Sequence, residues 1–167
     1  MSKPFSALAL CVLALPAVAF AGECEANFKK SGNPIVMTTY SSAVTVPNLS
    51  TRDALAQMRG ILVAEKMDVM AEDLEGGTLL VEQRQSKSAR PIPTTITVSE
   101  VQSGTRIEMA VRMERGVFSK VDQIQPYMCG LFAKVKGGKE GQAAARKGAG
   151  ATNNEATANQ DVFMFSR

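Results

Sequence analysis

Histidine and tryptophan are both missing from this 167-residue chain, and aromatic residues make up only 5% of it. Without histidine there is no Ser-His-Asp triad, no Cys-His pair and no imidazole metal ligand. Nucleic-acid binding wants a basic face with interleaved aromatics, and the net charge of +3 with so few rings provides none. Cysteine is scarce too, at three residues with no CxxC spacing, which argues against a redox or metal-binding pair. What remains is 45% hydrophobic and 21% charged, with a mean hydropathy of −0.03. That composition suits one modest domain with terminal extras, not a disordered chain, a coiled-coil rod or a polytopic membrane protein.

The first residues read as an address label. Lys3 is followed by an apolar run from Phe5 to Phe20, interrupted by Pro16, and Ala19 and Ala21 form a small-x-small pattern. Residues 1–21 are therefore expected to be a signal peptide cleaved between Ala21 and Gly22. A run of about 16 apolar residues is short for a membrane span. Leu10 before Cys11 and Glu23 before Cys24 are poor neighbours for a lipidated cysteine. The expected product is a periplasmic or secreted protein with no membrane span. Cleavage leaves Cys24 and Cys129, which in an oxidising compartment most simply form one disulfide.

Residues 22–135 are expected to form a single α+β domain. A strand is read over Pro34–Val46, ending near Pro47. Ser50 and Asp53 mark a helix start, and Leu55, Met58, Ile61 and Leu62 share one face, with Gly60 either weakening that helix or admitting a close neighbour. Four strands follow. Met67, Val69 and Ala71 alternate, Gly76-Gly77 turns the chain, and Leu79 and Val81 share a face. Ile92, Thr94, Ile96 and Val98 then alternate with polar residues, as do Ile107, Met109, Val111 and Met113 after the Ser103-Gly104 turn. A closing helix is read from Ser119, with Val121, Ile124, Met128, Leu131, Phe132 and Val135 on one stripe and Pro126 off it. The order is β-α-β-β-β-β-α: an antiparallel sheet with one wet face and helices packed on the other.

Residues 136–160 contain Gly, Ala, Asn, Glu, Lys and Thr without apolar periodicity, and are expected to be a flexible low-complexity linker in a disordered tail. The chain then closes on an apolar segment, 161–167, holding Val162, Phe163, Met164 and Phe165. Two readings stay open for it: a clip onto its own sheet, or a tethered peptide that adds a strand to a partner.

No reaction chemistry emerges. Glu72, Asp73 and Glu75 beside a glycine turn read as a solvated acidic loop, and Ser86, Lys87 and Ser88 lie in a polar loop with nothing to desolvate the lysine. The methionines mostly occupy core positions, so packing explains them better than Cu(I) binding. Arg84, Lys87 and Arg90 form the one local basic concentration of the body and are candidate docking residues. No cofactor or metal is expected.

The element order, the helix from Ser50 to Lys66, the Met67-Asp-Val-Met70 strand, the Gly-Gly hairpin and Thr78-Leu-Leu-Val81 together resemble the helix-grip (TBP-like) arrangement. In particular they are similar to the domains of the outer-membrane assembly lipoprotein BamC, over roughly residues 33–135. The resemblance implies an envelope scaffold or accessory module without catalytic residues, and it transfers no site residues. The expected function is non-enzymatic binding of an envelope protein partner through Val162–Phe165 and Arg84, Lys87 and Arg90. Alternatives are a lipid or small hydrophobic ligand held in a helix-grip cavity, and a periplasmic inhibitor or immunity-type factor.

Overall fold

Strict alternation of apolar and polar residues dictates which face of a strand is buried, and here it builds the centre of the molecule. A computed structural model of the protein describes residues 19–83, 91–115 and 120–151. Its elements are α1 (Ala19–Asn27), β1 (Lys29–Asn33), β2 (Met37–Val46), α2 (Thr51–Ala64), β3 (Met67–Asp73), β4 (Thr78–Gln83), β5 (Pro93–Val101), β6 (Gly104–Glu114), α3 (Val121–Phe132) and α4 (Gly138–Ala149). The strands form one antiparallel sheet in the order β1-β2-β6-β5-β4-β3. Ile107, Met109, Val111 and Met113 of β6 are buried between Tyr40, Val44 and Val46 of β2 and Ile96 and Val98 of β5. Leu55, Met58 and Leu62 of α2 and Ile124, Met128, Leu131 and Phe132 of α3 close the same core from the helical side. The fold is thus α+β, with an antiparallel sheet and helices against one face.

Ser50 caps α2 as expected, its hydroxyl oxygen accepting from the Asp53 amide at 3.1 Å. Gly77 turns the β3–β4 hairpin at φ +64°. The alternation in β3 stops early, because the register shifts at a bulge between Val69 and Ala71 and Ala71 is exposed, as Met70 is. Val121 starts α3 but is also exposed, and Ser119 lies outside the described residues.

Three features correct the sequence reading. The stretch 34–46 is not one strand, because Asn33 and Pro34 start a turn that divides β1 from β2. Residues Ala19–Asn27 form α1, a helix without an apolar stripe that has no place in the expected element order. It stands where β2 lacks a strand neighbour. β1 pairs with β2 only as far as Ser41. Beyond that point the Ala43 carbonyl accepts from the Asn27 side-chain amide and the Thr45 amide donates to the Glu23 carboxylate, both at 3.0 Å. The Ser42 hydroxyl donates to the Cys24 carbonyl at 2.6 Å. α1 therefore satisfies an edge that would otherwise be bare.

The third correction concerns 136–160, where residues 138–149 form α4 instead of a flexible linker. Gly141, Ala145 and Gly148 lie on its buried face, and α4 packs along α2. The approach is close enough that a Cβ on Gly148 would stand 1.9 Å from the Ala56 carbonyl oxygen, and one on Gly60 would stand 2.6 Å from Gly148 Cα. Of the two readings open for Gly60, a weakened helix or a close neighbour, the second describes what is seen, and α4 is that neighbour. The buried Gln57 side chain fixes the lead-in: its amide nitrogen donates to the Lys136 carbonyl and its oxygen accepts from the Lys136 amide, each at 2.9 Å.

Cys24 and Cys129 are joined, with Cα atoms 5.6 Å apart and 105 residues of separation, so α1 is bonded covalently to α3. Replacing either cysteine with serine should lower the melting temperature by the same amount. Loop entropy puts the loss on the order of 4 kcal/mol, readable by thermal unfolding with and without reductant. Gly148→Ala should destabilise by about 1–3 kcal/mol, the usual cost of overpacking. Gly130→Ala, on the exposed side of α3 with nothing within 4 Å of the new methyl, should stabilise by about 0.5–1 kcal/mol. Chemical denaturation of the pair checks both signs.

Candidate functional site

The docking residues expected from the sequence, Arg84, Lys87, Arg90 and Val162–Phe165, lie outside the described residues. The disulfide pair Cys24 and Cys129 is in place. Among the described residues a different feature stands out, the tip of the β1–β2 hairpin. Ile35 is 73% exposed and Val36 70%, with Met37 beside them at 37%.

Local chemistry explains why two β-branched residues sit at a turn. The Val36 amide donates to the Asn33 carbonyl at 3.2 Å, closing a four-residue turn with Pro34 at its second position. The Asn33 side-chain oxygen accepts from the amides of Ile35 and Val36 at 3.0 and 3.1 Å, an Asx turn laid over the backbone turn. Gly32 adopts φ +78°, and a Cβ there would meet the Met37 carbonyl oxygen at 2.1 Å. The base of the arm is anchored in turn. Phe28 stacks on Tyr40 with centroids 6.1 Å apart, and the Lys30 ammonium lies 5.8 Å from the Tyr40 ring centre. The result is a fixed arm with an apolar end. The signal for it was legible as Asn-Pro, which favours turn initiation, but the apolar run that follows masked it.

The remaining candidates resolve into structural roles. Glu72 pairs with Arg59 of α2, and the Asp73 carboxylate accepts from the Glu75 and Gly76 amides at 3.1 and 2.9 Å. The acidic cluster is thus a turn and an ion pair. Met58, Met67, Met109, Met113 and Met128 are buried, whereas Met37 and Met70 are exposed. No group of three or more acidic or cysteine side chains placed to hold a metal occurs among the described residues. Nor is any helix there long and apolar enough to cross a membrane. A cleft of about 400 Å³ opens between Asn48–Thr51 and the β5–β6 turn, with Glu100, Gln102 and Ser103 on its rim.

Tyr127 carries a shifted ionisation. Burial, and then the nearby Glu65 carboxylate, push its phenol from 10.0 up to about 12. A raised acid favours its protonated form in the folded state, so its contribution is complete below pH 10. It should be lost as pH rises from 10 towards 12. Phenolate absorbance compared between the native protein and Tyr127→Phe should show the Tyr127 phenol titrating late, and the substitution should flatten the fall in stability over that window.

No protein-family model matches the chain, and no curated protein matches it. Among solved structures the chain is similar to a conserved protein of unknown function from Enterococcus faecalis, at a TM-score of 0.49 and 4% identity, over 71% of this chain and 80% of that one. It is also similar to CalU16 from Micromonospora echinospora, at a TM-score of 0.39 and 10% identity, over 78% of this chain and 99% of that one.

Proposed function

We propose that this is a non-enzymatic binding module of the bacterial cell envelope, periplasmic or secreted, that docks another envelope protein through the β1–β2 hairpin tip. The observation that carries the reading is the pair Ile35 and Val36, some 70% exposed on a turn already fixed by three hydrogen bonds. Apolar side chains held rigidly in water lose little entropy when they enter a partner's pocket. The setting outside the cytoplasm is supported by the leader-like residues 1–21 and by the Cys24–Cys129 bond. The likeness in element order to the envelope scaffold domains noted above points the same way.

The test starts with cross-linked partners captured from envelope extract, identified by mass spectrometry, purified and titrated calorimetrically against the intact protein. Ile35→Ser with Val36→Ser should weaken binding by about tenfold to a hundredfold, as loss of interface anchors does. The melting temperature should hardly move, since both side chains are already in water. Unchanged affinity would overturn the assignment. So would binding of the native hairpin, but not the variant, to phospholipid vesicles in place of a protein, or a lipid that co-purifies in native mass spectra.

A further inference from the structure

β1 stands at one border of the sheet, and only the side facing β2 is paired. Its five residues are all exposed, on both faces of the strand, so β1 projects from the core as half of an arm. In an antiparallel ladder every second residue turns its amide and carbonyl away from its neighbour. Among the described residues, no backbone group from Lys29 to Gly32 bonds anywhere but to β2. Two charges guard this edge. Lys29 and Lys30 are adjacent, so their side chains leave on opposite faces of the strand, and neither makes an ion pair among the described residues. The neighbouring sequence supplies no counter-charge, since no acidic residue lies between Glu25 and Asp53. The exposed Ile35 and Val36 stand just past the end of the strand.

We propose that β1 accepts an added antiparallel strand from a partner protein, with two consecutive carboxylates opposite Lys29 and Lys30 and an apolar pair reaching Ile35 and Val36. This rests on the hairpin tip being the docking point, and it names the kind of segment that docks there. Edge lysines keep indiscriminate strands away. The same lysines admit a strand of opposite charge, because unlike cross-strand pairs stabilise and like charges directly opposite destabilise. Register then sets the spacing. Along an antiparallel partner, single residues face Ser31, Gly32 and Asn33 before the chain passes the tip. Those three positions separate the acidic pair from the apolar one. Backbone bonds hold such a segment, and its side chains select it. A second copy of this chain is the poorer occupant. Pairing β1 with itself gathers the lysines of both copies on one short ladder that contains no carboxylate.

The probe is a heptapeptide with blocked ends, Val-Val-Thr-Thr-Thr-Glu-Glu, and the control carries Lys-Lys in place of Glu-Glu. Each is titrated into the intact protein, with binding read by calorimetry and by amide hydrogen exchange. The acidic peptide should bind about tenfold more tightly than the basic one, and it should slow exchange at alternate amides of Lys29–Asn33. Lys29→Glu with Lys30→Glu, both at exposed positions that leave the fold intact, should reverse the ranking. Binding of neither peptide, equal binding of both, a ranking that survives the charge reversal, or protection confined to amides outside β1 would each overturn the proposal. So would β1 protection that grows with protein concentration without peptide, because the occupant would then be a second copy. Ile35→Ser with Val36→Ser should weaken the acidic peptide yet keep its preference over the basic one. The tip assignment fails on affinity for the captured partner and the edge assignment on charge ranking, so the two fail separately.

Discussion

A strand at the border of a sheet must find partners for its outward amides and carbonyls, and much of this molecule is arranged around that demand. β2 is the case in point. Its inner side pairs with β6 along its whole length, but β1 reaches only to Ser41. Glu23 and Asn27 then do with side chains what a longer β1 would have done with backbone. A helix of nine residues has little stability of its own, so those bonds need α1 held in place. The link from Cys24 to Cys129 does that, and it also fixes α3 against the same end of the sheet. Edge, helix and disulfide form one dependency.

The other side of the helical layer depends on the absence of side chains. α4 lacks the large apolar residues that usually dock a helix, and its buried positions are Gly141, Ala145 and Gly148. With nothing projecting, the backbones of α2 and α4 meet directly at Gly60 and Gly148, where dispersion between main-chain atoms replaces side-chain interdigitation. Gln57 serves as a substitute for secondary structure in the same way that Glu23 and Asn27 do, matching both backbone groups of Lys136 with one amide.

This explains which parts were legible in the sequence. Strands β5 and β6, the Ser50 cap, the core face of α2 and the disulfide follow from period, capping chemistry and cysteine arithmetic, and each has a large local signal. α4 was missed because hydrophobic periodicity weighs side chains, and this helix packs by lacking them; the spacing of Gly141, Ala145 and Gly148, seven residues across two turns, was the available clue. α1 was missed because its stabilising partners are 16 to 105 residues away. The hairpin tip was misread for a subtler reason. Ile35, Val36 and Met37 look like the start of a buried strand, and only Asn33 and Pro34 before them say that the chain is still turning.

The wide spacing of the disulfide also sets an order in time. A ribosome delivers Cys24 long before Cys129, and at about 5–20 residues per second the first thiol waits on the order of 5–20 s for the second. During that interval β2 has no β6 to pair with, since the central pairing of the sheet joins Met37–Val46 to Thr105–Glu114. The β1–β2 hairpin and the α2–β3–β4 segment can gather locally, but the middle of the sheet must wait for β6, and Cys129 follows later still in the chain. Newly made chains therefore pass through a stage with an unpaired strand and a free thiol, and an oxidant acting too early would find Cys24 without its native mate.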